Sequence, residues 1–405
     1  AAGWYLSRDH EVVVFEAGRR PGGHTDTHEL SDSAGLPVRV DSGFIVFNAH
    51  NYPGFCALLD ELGVGSRASD MGFSVSNHRS GIEYGTSTLR ELLADPRNLA
   101  RPRFLAMLRD LRRFYRQAPS LLDADPALAI GDWLEANDYS EAFSEEHLLP
   151  MVSALWSSGE AAAHRFPARF LAKFMANHRM LQVSGRPQWR TVLGGSQRYV
   201  EALTARWSAT LRVECPVRRV RREGAGVRVV HPWGEERFDA VVMACHSDQA
   251  LAVLEDAENA ERAVLGAIAY QPNTMQLHND TRVLPGRRRA WSSWNARVDP
   301  DANGRCSVAY WMNRLQGLDS PDPWIVSLNQ QHLVDPDKVH VERQYAHPVY
   351  REETLEAQGA WGDISGRRGV HFCGAYWGGG FHEDGVQSAL RVAAAIEEEQ
   401  CRVAA

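Results

Sequence analysis

The chain has 405 residues, 44% hydrophobic and 23% charged, with 33 Gly and 19 Pro. That length points to two or three packed units rather than one core, and the ordinary composition excludes a disordered or fibrous chain. With 44 Lys and Arg against 51 Asp and Glu the net charge is −7, which argues against a nucleic-acid partner held by phosphate attraction.

The six cysteines are scattered, with no C-x-x-C pair and no Cys/His cluster at metal spacing. A reducing compartment, read as the cytoplasm, and no bound metal are the expectation. No apolar run approaches about 18 residues, so no transmembrane helix is expected. Only Lys173 and Lys338 among the basic residues are lysines, which restricts any mechanism that needs a side-chain amine.

In chain order, residues 1–8 read as the later part of a helix. Residues 11–16 form a β-branched run typical of a buried parallel strand, and it closes on Glu16. In dinucleotide folds a carboxylate there accepts the adenosine ribose hydroxyls; an ordinary strand with a solvated glutamate fits the spacing as well. A glycine turn follows over 19–25, where backbone can come close to a ligand. A G-x-G-x-x-G loop precedes such a glutamate by about 20 residues in those folds. It is absent from the 15 residues before Glu16, so that loop and a first strand are expected upstream of Ala1.

Short strands are expected at 73–77 and 82–85, then helices. The pattern over 103–116 puts Phe104, Leu108, Leu111 and Tyr115 on one helix face. Arg97, Arg101, Arg103, Arg109, Arg112, Arg113 and Arg116 crowd the same region. A solvated basic face accounts for them, and peripheral contact with an anionic membrane is the other reading. Trp156, Phe166, Phe170, Phe174 and Met175 read as core rather than as a substrate tunnel. Strand-like runs return at 211–220, 227–231 and 238–244, and again near 274–278, 290–295, 307–313 and 324–329.

A strand over 369–373 leads into residues 374–385, five of them glycine, and a helix is expected from near Val386. Glycines at such density before a helix mark backbone approaching something flat or anionic. Against a flavin, the helix N-terminus would favour an anionic reduced ring by about 0.3–1 kcal/mol, up to about 2 when partly buried. Tyr376, Trp377 and His382 are the rings best placed to line a reactive face. His382 can exchange a proton near neutral pH, or serve as a hydrogen-bonded structural residue. No catalytic side chain is nominated, because a flavin carries the redox chemistry itself.

The pair E-A-x-x-R-x-G-G from Glu16 and G-A-Y-W-G-G-G-F-H-E-D-G-V-x-S from Gly374 resembles the flavin-containing amine oxidase superfamily, which includes protoporphyrinogen oxidases and phytoene-desaturase-like enzymes. The resemblance is closer still to a bacterial subgroup of FAD-dependent oxidoreductases, through V-D-S-G-F-I-V-F-N at 40–48, R-P-Q-W-R-T-V-L-G-G-S at 186–196 and F-D-A-V-V-M-A-C-H at 238–246. It runs over essentially the whole chain. It implies an α/β fold in which a Rossmann-like FAD-binding domain (1–69, 185–265 and 360–405) interleaves with an α+β substrate domain (70–184 and 266–359).

Position by position, it implies Glu16 on the adenosine ribose and Arg20, Gly22, Gly23 and Thr25 around the pyrophosphate. Gly43 and Phe44 would pass near the isoalloxazine, and Val217, in a strand over 212–220, would meet the adenine through its main chain. Gly374, Asp384, Gly385 and Val386 would meet the ribityl chain and flavin carbonyl. Ala375 departs from the acidic residue often found at that place, which removes one ribityl or phosphate contact. Many amine oxidases of the superfamily also hold a lysine in the later substrate strands, yet 266–337 contain none.

The implied activity is hydride transfer from a small-molecule or lipid substrate to non-covalent FAD. Carbon–carbon desaturation of a lipid or isoprenoid chain is the alternative, and a chain that binds FAD weakly and acts only as a binding protein is another. A nicotinamide enzyme leaves the 374–385 segment without a role, and no G-x-S-x-G elbow supports a hydrolase. Substrate, electron acceptor and oligomeric state are not legible.

Overall fold

The computed structural model describes residues 1–156, 163–182, 184–299 and 306–404. Its architecture is α/β. Two parallel strand pairs, Val13–Phe15 with Thr210–Arg212 and Val241–Met243 with Val370–Phe372, join residues far apart in sequence. Such pairing requires long crossover connections. The helix Ala2–Leu6 lies on the long C-terminal helix His382–Ala404, and Leu6, Val12, Val242, Cys373, Ala389, Val392 and Ala393 share one apolar cluster there. An antiparallel three-stranded sheet, Arg219–Glu223, Gly226–His231 and Gly234–Phe238, flanks this layer.

A seven-stranded mixed sheet forms the second body. Its order is Val339–Pro348, Tyr270–His278, Ile325–Leu328, Cys306–Trp311, Trp294–Val298, Phe73–Asn77 and Ile82–Gly85. Only the Trp294–Val298 pairing with Phe73–Asn77 is parallel. Met275, Leu277, Val308, Tyr310 and Val326 project from it onto Val38, Val40 and Ile45. That packing carries the segment holding Gly43 and Phe44 to the sheet. A helical layer closes the body, its core built from Phe114, Phe143, Trp156, Phe166 and Leu171, which agrees with the core reading of the aromatic run.

Several elements differ from the sequence reading. The run 211–220 is two strands, because Glu214 takes a left-handed φ of 52° and Pro216 has no N–H for a ladder. Val217 therefore lies in the connection, not in a strand. The helix Pro102–Gln117 buries Phe104, Met107, Asp110 and Phe114 fully, while Leu108, Leu111 and Tyr115 of the expected face are partly buried against the same cores. The fully buried Asp110 carboxylate accepts from the Ser140 N–H at 2.9 Å and faces Arg109 at 3.2 Å, fixing that rotation. The run 290–295 is a turn, Arg288–Ala290, then a strand from Trp294, since the Asn295 amide ties back to Ser292 at 2.6 and 2.9 Å. The long helix starts at His382, four positions early, because Asp384 accepts from the Phe381 N–H at 2.8 Å.

Candidate active site

The loop after Val13–Phe15 folds onto itself. Glu16 Oε1 accepts from the Gly18 N–H at 2.7 Å, and the Glu16 carbonyl accepts from the Cys215 N–H at 2.9 Å. Arg20 stays exposed and reaches across the loop: Nη1 donates to the Thr25 carbonyl at 3.1 Å and to Gln197 Oε1 at 2.6 Å, and Nη2 pairs with Asp26. Gly22, at φ 126°, makes the turn whose carbonyl accepts from the Thr25 N–H at 2.9 Å. A Cβ at Gly22 would stand 2.9 Å from the Thr25 carbonyl oxygen. Gly23 also has a positive φ, 55°, with open space beside it.

Asp41 is fully buried and fastens the next segment. Its carboxylate accepts from the Ser196 N–H at 2.9 and 3.0 Å, the Ser196 hydroxyl at 3.0 Å, Gln316 Nε2 at 2.8 Å and Thr27 Oγ1 at 2.5 Å. Burial raises it to about 6 despite those donors. Two residues on, Gly43 lets backbone meet backbone: a Cβ there would lie 1.9 Å from the His24 carbonyl oxygen. That oxygen accepts from the Phe44 N–H at 2.8 Å. Gly43→Ala is expected to force these two segments apart and destabilise the protein by at least about 1–3 kcal/mol, the range for overpacking side chains, since backbone cannot rotate away. Denaturant midpoints of variant and parent check this; equal midpoints would show that the two segments part freely.

The C-terminal glycine segment arrives at the same place. The His382 ring stacks on Phe44 with centroids 3.8 Å apart and meets Phe55 edge-on at 4.9 Å. Its Nε2 bonds the Tyr199 hydroxyl at 2.8 Å, and that hydroxyl bonds Thr25 Oγ1 at 2.8 Å. Burial lowers His382 to about 3, which favours the neutral, hydrogen-bonded structural histidine of the two readings. Glu383 accepts from Gly54 and Phe55 N–H groups at 2.9 and 2.8 Å, clamping the start of the helix Pro53–Leu62. Burial, with Glu383 beside it, raises Asp384 to about 6. Gly385 continues the first turn, and Val386 is buried beside Phe55 and Tyr199.

The family model described as flavin containing amine oxidoreductase matches residues 1–397. The chain belongs to that family. It is 27% identical over 255 residues to a Mycobacterium tuberculosis protein provisionally named a flavin-containing monoamine oxidase, covering 60% of this chain and 54% of that one. The chain thus spans about half the length of the curated relatives it matches. Its fold is similar to that of cyclohexylamine oxidase from Brevibacterium oxydans, with a TM-score of 0.68, 16% identity and coverage of 98% of this chain and 96% of the other. It is equally similar to a conjugated-linoleic-acid-producing fatty acid isomerase from P. acnes, with a TM-score of 0.69, 16% identity and coverage of 97% and 95%.

The structure gathers Arg20, Gly22, Thr25, Gly43, Phe44, His382, Asp384, Gly385 and Val386 around the Thr25–Tyr199–His382 chain. Glu16 stands apart, at the end of its strand beside Cys215. Val217 packs instead with the cluster that holds Tyr376 and Trp377, which are 4% and 8% exposed. The Tyr376 hydroxyl and Trp377 indole N–H are buried there without a well-formed hydrogen bond. Gly374 sits above the Tyr376 ring, where a Cβ would lie 2.3 Å from a ring carbon. Glycine-bounded backbone, a neutral imidazole and unsatisfied buried donors fit a flat, polar-edged group such as a flavin. Tyr199 and Glu383 were missed. The helix period marks Tyr199 as inward-facing, but its partners lie 174 and 183 residues away. Among the described residues no metal-binding cluster occurs, and no helix is long and apolar enough to cross a membrane.

Proposed function

We propose that the chain is an FAD-dependent oxidoreductase that takes a hydride from a small-molecule or lipid substrate. The observation that carries this reading is the convergence of two glycine-bearing segments, one from each end of the chain, on His382. On it, residues 1–69, 185–265 and 360–405 make the cofactor unit, and 70–184 and 266–359 the substrate unit. When bound, FAD supplies the two-electron acceptor. Glu16 and Val217 hold its adenosine half, and Arg20, Gly22, Gly23 and Thr25 its pyrophosphate. Gly43, Phe44, Gly374, Asp384, Gly385 and Val386 bound its ring and ribityl portion, with Tyr376, Trp377 and His382 beside the reacting face.

The roles of these residues are positional. Tyr199 and Phe44 hold the His382 imidazole fixed and its burial keeps it neutral, so it contributes a hydrogen-bonding edge without a charge. Glu383 locks the first turn of the C-terminal helix against the Pro53–Leu62 helix, so the backbone N–H groups of that turn keep one direction. Those N–H groups favour negative charge facing them.

Carbon–carbon dehydrogenation is the second reading, favoured by the lysines. None lies between 266 and 337, and Lys338 sits 3.9 Å from Asp280, on the outer strand side of the sheet. Purified protein is expected to carry flavin absorbance that bleaches anaerobically with one class from a panel of amines, acyl lipids and isoprenoids. Bleaching by amines alone removes the second reading. A preparation extended upstream by the expected strand and glycine loop that neither retains nor takes up flavin removes both.

A further inference from the structure

We propose that the face around the edge strand Ile82–Gly85 docks the protein on an anionic lipid bilayer. Leu89, Leu99 and Leu105 are 71%, 54% and 46% exposed. They stand on three successive short elements, Leu89–Leu92, Pro96–Ala100 and the first turn of Pro102–Gln117. Single exposed leucines are ordinary; three on successive elements interspersed with arginines are not.

Polar ties hold these elements together over the sheet edge. Asn98 Nδ2 donates to the Glu83 carbonyl at 3.0 Å, and Arg101 donates to the Gly81 carbonyl. The Glu83 carboxylate accepts from the N–H groups of Gly286 and Arg287 at 2.9 and 3.2 Å. Helix Leu89–Leu92 rests on the turn Arg288–Ala290.

The carboxylates of this face are already engaged. Asp95 is buried between Arg97 and Arg287 at 3.0 and 3.1 Å, and Glu91 pairs with Arg314 at 3.0 Å. Further along the helix, Arg103 is held by Glu145 and Glu146, and Arg109 by Asp110. Among the described residues, Arg90, Arg101, Arg288 and Arg289 have no such carboxylate partner. A chain of net charge −7 thus presents an unneutralised guanidinium cluster interleaved with leucines. Guanidinium pairs with phosphate, and the leucines enter the headgroup boundary. A nucleic acid would use the first feature and leave the second exposed to water.

The proposal is independent of the flavin reading and is tested on the same purified chain. It is expected to co-sediment with vesicles of phosphatidylcholine and phosphatidylserine, to release at high salt, and to ignore pure phosphatidylcholine. Each arginine near an anionic surface is worth roughly fivefold in partitioning, so Arg90→Glu with Arg288→Glu and Arg289→Glu should weaken binding by about 100-fold or more. Leu89→Ser with Leu99→Ser and Leu105→Ser should also release it, with an unchanged thermal midpoint because the side chains are exposed. Absence of binding to anionic vesicles, equal binding to neutral ones, or binding that ignores either triple variant would overturn the proposal. Loss with the arginine set alone would mark a soluble polyanion as the partner.

Discussion

Stability is expected to fall steeply as pH drops from 6.5 toward 4. Six imidazoles, His24, His28, His147, His278 and His347 near 4 and His382 near 3, are lowered chiefly by burial. Their unfolded counterparts titrate near 6.5, so on acidification the unfolded chain takes up protons first. Their contribution is complete above about 6.5 and is lost as pH falls through the folded values. Asp41 and Asp384 act in the opposite sense. Raised to about 6, they keep a proton that the unfolded chain gives up, and acidification relieves them. Six groups against two leaves the histidines dominant.

The hydrogen bonds give the same sign independently. His278 Nδ1 accepts from the Asp280 N–H at 3.1 Å, so its Nε2–H donates to Ser327 Oγ at 3.0 Å. A second proton has nowhere to go but against that N–H. His347 Nδ1 likewise accepts from Asn273 Nδ2 at 2.8 Å. Guanidinium unfolding followed by tryptophan fluorescence between pH 7.5 and 4.5 checks the trend. His278→Gln should lower the slope by up to about 1.4 kcal/mol per pH unit. A flat profile over that range would mean that these imidazoles charge in place.

The elements that were legible in sequence are those whose signal is local. The strands Phe73–Asn77 and Ile82–Gly85 end where turn residues end them, and the 374–385 glycines stand out by density alone. Helix faces were less legible. In Pro102–Gln117 the stripe through Phe104, Leu108, Leu111 and Tyr115 does pack on the core, but a buried aspartate held by Ser140 shares the most enclosed side of the helix. Candidate residues whose motif is contiguous can be named from sequence alone. Tyr199 and Glu383 cannot, because a tyrosine on an apolar helix face and a glutamate between a histidine and an aspartate are unremarkable until tertiary structure supplies Thr25, His382, Gly54 and Phe55. Val217 is expected in a strand and lies in a connection instead, since the sequence signal for strand runs through Pro216.

Glu261→Ala is expected to cost about 3 kcal/mol, the lower end of the range for breaking a buried ion pair, since Arg222 keeps Asp256 as a second partner. The Arg222 and Glu261 side chains are both fully enclosed and bonded to each other. Arg222 also reaches Asp256 Oδ1 at 3.2 Å and the Arg367 carbonyl at 3.3 Å. The second oxygen of Glu261 accepts from the Glu258 N–H at 2.7 Å, capping the helix Asn259–Gly266. Alanine therefore removes a counter-charge and a cap together, and leaves a guanidinium that water cannot reach. Arg222→Met with Glu261→Leu removes both charges and should recover most of the loss, because two apolar side chains of similar volume need no desolvation. If the single variant unfolds at the parental guanidinium midpoint, the pair is not the tie between the Arg219–Glu223 sheet and that helix. If the double variant is as weak as the single one, the cap rather than the charge pair carries the energy.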